Sequence, residues 1–213
     1  MQKTIYLFSG LGADERVFQQ LDFTGFSVSH IKWVTPQEHE TIEHYAGRLL
    51  PQVTTSQPIL VGLSFGGMIA IEVAKQISTE KVILIASAKT KSEIPFYYRW
   101  AGKIGLHQVL PAKWLKQSNF ITNWLFGAHS AFDKQLLRSI LQDTDPVFLR
   151  WALDTIAKWN NQARPANISH IHGTADHILP LRFIDSAIEI KDGGHFMTVN
   201  KPAELTAAIR KLL

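Results

Sequence analysis

The chain contains no cysteine, which removes disulfide staples, thiolate nucleophiles and cysteine-rich zinc sites in one step. No stretch approaches the ~20 apolar residues needed to span a bilayer. The opening Met1-Gln2-Lys3-Thr4-Ile5-Tyr6-Leu7-Phe8 enters a strand-like run too short for a signal peptide's apolar segment, with no cleavage-site pattern after it. The expectation is therefore a cytoplasmic protein with no membrane partner. Phosphate-cradling glycine loops and dinucleotide fingerprints are missing too, so neither a nucleotide cofactor nor a nucleic-acid partner is expected. Internal repeats and low-complexity tracts are also lacking.

What is present suits one globular domain with room for an inserted lid: 213 residues, 46% hydrophobic and 19% charged. The net charge of +4 is unevenly placed: residues 89–143 carry +5 and the rest of the chain −1. Two readings stay open for that segment. It is either a solvated helical surface or a face turned toward an anionic substrate or an acidic carrier protein.

Strand-like and helix-like segments alternate, which predicts a mostly parallel sheet covered by helices, an α/β fold. Strands are expected at Thr4–Phe8, Phe26–Trp33, Pro58–Leu63, Lys81–Ile85, Ile168–Ile171 and Ala187–Ile190. Thr41–Val53 reads as a helix with Thr41 as N-cap and Ile42, Tyr45, Leu49 and Leu50 on one face. Another helix follows Pro58–Leu63 over Phe65–Gln76, and a last one starts near Pro202. Between the fourth and fifth strands lie about eighty residues without strand signal. They are rich in aromatics (Tyr97, Trp100, Trp114, Phe120, Trp124 among them) and broken by Gly102, Gly105, Pro111, Gly127 and Pro146. Asp145-Pro146 opens a helix, Pro146–Trp159, expected to return onto the sheet. A connection this long inside a compact domain is usually functional. Residues 89–143 are read as a helical cap, and 1–88 with 144–213 as the core.

Gly62-Leu63-Ser64-Phe65-Gly66, directly after the apolar run Pro58-Ile59-Leu60-Val61, is the most specific local signal. A strand entering a G-x-S-x-G turn that opens a helix strains the serine backbone and exposes its hydroxyl at the sheet edge. A serine hydroxyl needs a base and a group to orient that base. His172-Gly173-Thr174-Ala175-Asp176 follows the fifth strand and Gly193-Gly194-His195-Phe196 the sixth, giving the order serine, acid, histidine. Asp192 is a rival acid, but it precedes His195 by only three residues. His170, His172 and His177 cluster as if for a metal, yet no second ligand set accompanies them. His172 is read as a support for its loop, and His107 and His129 as surface or packing residues.

These motifs resemble the α/β-hydrolase superfamily, in particular its small cap-bearing branch of esterases, lipases, hydroxynitrile lyases and cofactor-free haloperoxidases. The resemblance covers essentially the whole chain. It implies Ser64 as nucleophile, His195 as general base and then acid, and Asp176 as the orienting carboxylate. It implies an oxyanion hole from the backbone N–H groups of Phe65 and Leu11. Relatives usually carry His-Gly where this chain has Ser9-Gly10, so Ser9 is a departure that touches the support of that loop. The glycine-rich D-x-x-G-x-G-x-S segment common after the second strand is replaced by Trp33-Val34-Thr35-Pro36. The sheet is expected to hold about six strands rather than eight.

The implied activity is hydrolysis of a small-molecule carboxylic ester through an acyl-enzyme, without cofactor or metal, with Trp100 and Trp124 contacting the substrate. The alternative is a non-hydrolytic user of the same pocket: a ligand-binding module, or a hydroxynitrile-type lyase in which Arg99 or Lys103 would stand over Ser64.

Overall fold

Apolar residues alternating with period two build a sheet with two buried faces. The computed structural model describes residues 2–103, 116 and 118–213. Gly105, His107, Pro111, Lys113 and Trp114 lie outside the described residues, as does the side chain of Lys103. Six parallel strands form the sheet: β1 (Thr4–Phe8), β2 (Ser27–His30), β3 (Ile59–Leu63), β4 (Lys81–Ile85), β5 (Ile168–Gly173) and β6 (Ile188–Ile190). Their spatial order is β2-β1-β3-β4-β5-β6. Ile5 and Leu7 of β1 face one core with Ile59, Val61, Ile83 and Ile85, whereas Tyr6 and Phe8 face the other with Leu60, Val82 and Leu84.

The strand order places the site. The chain runs outward from β1 to β2, then returns past β1 to β3, so the direction of winding switches between β1 and β3. Phe8, the last residue of β1, pairs with Gly62 near the end of β3. Open parallel sheets bind ligands beyond the carboxyl ends of strands at such a switch. Here the loop Ser9–Gly12 and the turn at Ser64 both emerge at that point.

Helices cover both faces. α1 (Ile42–Leu49) is capped by Thr41, whose side chain accepts from the His44 N–H, and buries Ile42, Tyr45, Ala46 and Leu49. α2 (Phe65–Ala74) is buried from Phe65 to Val73 and apolar on every side save for Glu72, whose carboxylate accepts from Trp159 Nε1 at 2.8 Å. Between β4 and β5 come α3 (Phe96–Lys103), α4 (Phe120–Phe126), α5 (Ala131–Asp143) and α6 (Pro146–Lys158). α5 starts with a capping box of Ser130 and Asp133. Asp145 caps α6, with Pro146 at the first helical position. α6 returns to the sheet as expected, burying Phe148 and Ala152 beside Tyr45 and Leu84. α4 buries no residue, and its Phe120, Ile121 and Trp124 are exposed. By contrast, Leu137 and Ile140 of α5 join the core formed by β1, β3 and β4. The chain ends in α7 (Met197–Asn200) and α8 (Pro202–Leu212). Among the described residues no helix is long and apolar enough to cross a membrane.

Candidate active site

Ser64 joins β3 to α2 with φ 52° and ψ −122°, a region that costs an L-residue about 1–3 kcal/mol. Its N–H donates to the Ile85 carbonyl at 2.9 Å, and its own carbonyl accepts from the Gly67 N–H at 2.9 Å and the Ser87 hydroxyl at 2.6 Å. The flanking glycines are required by close approach. A Cβ at Gly66 would lie 2.1 Å from the Ser9 carbonyl oxygen and 2.3 Å from that of Phe8. One at Gly62 would lie 2.4 Å from the Gly67 Cα.

Of the other two predicted residues, His195 meets this hydroxyl and Asp176 meets His195. His195 Nε2 is 2.8 Å from Ser64 Oγ, and His195 Nδ1 is 2.8 Å from Asp176 Oδ2. Their two loops are stitched together: Thr174 N–H donates to the Ile190 carbonyl, Ala175 N–H to that of Gly193, and Asp192 N–H to the Thr174 hydroxyl. The rival Asp192 is exposed and makes no contact with His195. Asp176 Oδ1 accepts from the N–H groups of Ile178 at 2.9 Å and Leu179 at 2.8 Å. Burial alone would raise the Asp176 pKa. Attraction to His195 and its hydrogen bond, followed by His172 and the Leu179 N–H, outweigh it and hold the carboxyl below its ordinary value. An ionised Asp176 requires a proton on His195 Nδ1, which leaves Nε2 free to accept from the Ser64 hydroxyl.

His172 closes the back of this loop. It is fully buried, with Nε2 2.7 Å from the Leu179 carbonyl oxygen and Nδ1 3.2 Å from His170 Nε2. Burial keeps its pKa low and the ring neutral, so Nε2–H donates to Leu179 while Leu179 donates to Asp176. His177 lies apart from this pair, stacked on Trp124.

The loop after β1 lies against Ser64: a Cβ on Gly10 would come 3.7 Å from Ser64 Cβ. Ser9 supplies its own support, its hydroxyl donating to the Ala13 carbonyl at 2.6 Å. That carbonyl also accepts from Trp33 Nε1 at 3.1 Å, and Ala13 N–H donates back to Gly10. Thr144, which the sequence reading missed, packs on the same loop: its hydroxyl donates to the Ile140 carbonyl at 2.8 Å and shares that proton with the Gly12 carbonyl at 3.2 Å. Among the described residues neither the Leu11 N–H nor the Phe65 N–H has an acceptor, so both remain free for a ligand oxygen.

The sequence matches the alpha/beta hydrolase family over residues 6–209. The chain belongs to that family. A comparison with curated proteins finds no match. Solved structures with the same fold include a thermophilic esterase from Thermogutta terrifontis, with a TM-score of 0.69 at 19% identity over 99% of this chain and 89% of that one. An enol-lactonase from Burkholderia xenovorans LB400 aligns with a TM-score of 0.69 at 17% identity over 100% and 91%. The esterase EaEST from Exiguobacterium antarcticum gives 0.71 at 14% identity over 98% and 91%.

In this α/β hydrolase a cavity of about 520 Å³ opens beside the acid loop, lined by Tyr97, Trp124, Thr174–His177 and Pro180–Arg182. Trp124 is one wall, stacked face to face on His177 at 4.1 Å and 13°. Trp100, the other aromatic predicted to meet substrate, is 64% exposed on α3 and lies outside the lining. The Arg182 guanidinium rests 4.9 Å from the centre of the Phe183 ring at the cavity's edge. Tyr98 is pushed up to about 12 by burial, with Tyr97 and Asp176 adding to it, so its phenol stays neutral. Arg99 has a buried Nε without a hydrogen-bond partner, and no contact joins it to Ser64.

Proposed function

We propose that this α/β hydrolase is a serine hydrolase of carboxylic esters. The observation that carries the proposal is the continuous line from Ser64 Oγ through His195 to Asp176, with 2.8 Å at both joints. In the reaction Ser64 Oγ attacks the ester carbonyl carbon while its proton passes to His195 Nε2. The oxygen that becomes negative is held by the N–H groups of Leu11 and Phe65. His195 then protonates the departing alkoxide, leaving an acyl-serine. A water molecule deprotonated by the same nitrogen attacks the acyl carbon; the Ser64 Oγ–acyl bond then breaks as His195 returns that proton to Oγ, which releases the acid and restores the serine.

The ester class is supported by the fold neighbours, which are named as esterases and an enol-lactonase at 14–19% identity. The cavity beside the acid loop is lined by Asp176 but not by Ser64 or His195, and its Tyr97, Trp124 and Leu181 walls would suit apolar bulk on a part of the substrate away from the ester carbonyl. The +5 charge of residues 89–143, taken as the lid, favours an anionic group on the substrate or on a carrier that presents it.

Ser64→Ala tests the reading. Turnover of p-nitrophenyl esters should fall by at least ~10³-fold with the circular-dichroism spectrum unchanged. Covalent labelling by a fluorophosphonate should disappear in the same variant. Retention of most of the esterase activity would remove the serine from the reaction.

A further inference from the structure

The peptide group between Ser64 and Phe65 presents two polar ends. Its oxygen points into the protein, and its N–H is the donor assigned above to the developing negative charge. Because the group is planar, fixing one end fixes the direction of the other. The Gly67 N–H bond to that oxygen, at 2.9 Å, is the ordinary first-turn bond of α2. The second bond, from the Ser87 hydroxyl at 2.6 Å, comes from a different strand.

Ser87 is placed with little freedom. It lies two residues past the end of β4 and follows Ala86, which adopts φ 45° while its N–H is tied to the Ile171 carbonyl at 3.0 Å. Ser87 is fully buried. A Cβ built on Gly67 would come 2.4 Å from the Ser87 hydroxyl oxygen and 2.7 Å from its Cβ, so α2 packs directly over the side chain. A hydroxyl that donates to an amide oxygen also draws electron density along the amide and strengthens the N–H at the other end.

We propose that Ser87 is a positioning residue for the oxyanion: its hydroxyl holds and polarises the Ser64–Phe65 peptide so that the Phe65 N–H meets the negative oxygen. The inference rests on the ester-hydrolase reading, since only that reaction places charge there. Ser87 touches neither substrate nor the reacting hydroxyl and acts through the peptide it holds.

Ser87→Ala and the near-isosteric Ser87→Cys, a weaker donor, test this on p-nitrophenyl acetate. Removing one oxyanion donor outright costs about 10²–10³-fold in kcat, and loosening one should cost about 10- to 100-fold. Ser87→Ala should show that loss with KM within about twofold of wild type, and Ser87→Cys should fall between the two. Inhibition by a trifluoromethyl ketone, whose adduct carries the tetrahedral oxyanion, should weaken by the same factor. The pH dependence of kcat/KM should stay in place, because the Ser64–His195 bond is untouched. An unchanged kcat, an unchanged inhibitor affinity, or a displaced pH profile would each overturn the proposal, the last by tracing the loss to the base. Should Ser87→Ala not fold, Ser87→Cys supplies the same comparison. The Ser64→Ala control separates the two failures: an active Ser64→Ala variant sinks the hydrolase reading, whereas an inactive one with fully active Ser87 variants sinks only the role of Ser87.

Discussion

At the residue scale the demanding position is Asp176, a carboxylate with almost no solvent exposure that must remain charged. One oxygen is held by the two N–H groups of Ile178 and Leu179, leaving the other to face His195 Nδ1. This asymmetry decides what Asp176→Asn does. The two backbone donors would keep the amide oxygen on their side and turn the NH₂ toward His195. Nδ1 would then have to accept, its proton would move to Nε2, and Nε2 could no longer take the Ser64 proton. The expected result is a loss of about 10⁴-fold in kcat with a nearly unchanged Tm. Activity within tenfold of wild type would mean that His195 is oriented without this carboxylate.

The elements show where sequence patterns suffice and where they stop. The elbow was legible because each of its parts is local: an apolar strand, two glycines pressed by neighbouring backbone, and a helix that begins at Phe65. Thr41 and Asp145 could likewise be read as caps, since a cap bonds only three residues ahead. β2 was not. Its expected span, Phe26–Trp33, shortens to Ser27–His30 because the edge leaves the sheet early: Ile31 N–H still reaches the Leu7 carbonyl, but Lys32 N–H goes to the Gln52 side chain. Nor could sequence spacing pair Ser87 with Ser64 or Thr144 with Gly12, contacts made across 23 and 132 residues. The elbow's packing makes a paired prediction. Gly66→Ala drives a methyl into the backbone carbonyls of Phe8 and Ser9, which cannot move without parting β1 from α2. A loss of about 3 kcal/mol in denaturant stability is expected, at the upper end of the overpacking range. Gly10→Ala meets only ordinary contacts at 3.7 Å and beyond, so its stability should stay within about 0.5 kcal/mol of wild type. Equal effects of the two substitutions would contradict the close approach of α2 to the end of β1.

Taken as a whole, the molecule brings the far half of the chain onto the near half. Among the described residues α5, which lies between β4 and β5, shares a core with β1 and β3, and Arg16, near the start of the chain, donates to Ser139 and Asp143 of α5. The acid and histidine loops hang from β5 and β6, and behind them His170 and His172 are buried, with His172 Nε2 3.5 Å from Asp176 Oδ2 and His170 in no ion pair among the described residues. Burial, then the neighbouring His172 and Lys89, lowers the His170 pKa from the ordinary 6.5 to about 2. Between those values the unfolded chain binds a proton that the folded one refuses, so stability rises with pH across that window and is lost on acidification from 6.5 downward. For His170 alone the loss from pH 7.5 to 5.5 is about 1.4 kcal/mol, set by the unfolded value of 6.5. His172, whose pKa is also lowered by burial, acts in the same direction. Asp176 adds nothing in that interval, because its unfolded value of 3.8 lies well below it. His170→Gln removes the titrating ring and can keep a hydrogen bond to His172 Nδ1. Its denaturant stability should therefore fall less than the wild type's over those two pH units, by about 1.4 kcal/mol. Parallel stability curves for the two proteins would show that His170 takes up its proton in the folded state and that the core behind the acid loop is open to water.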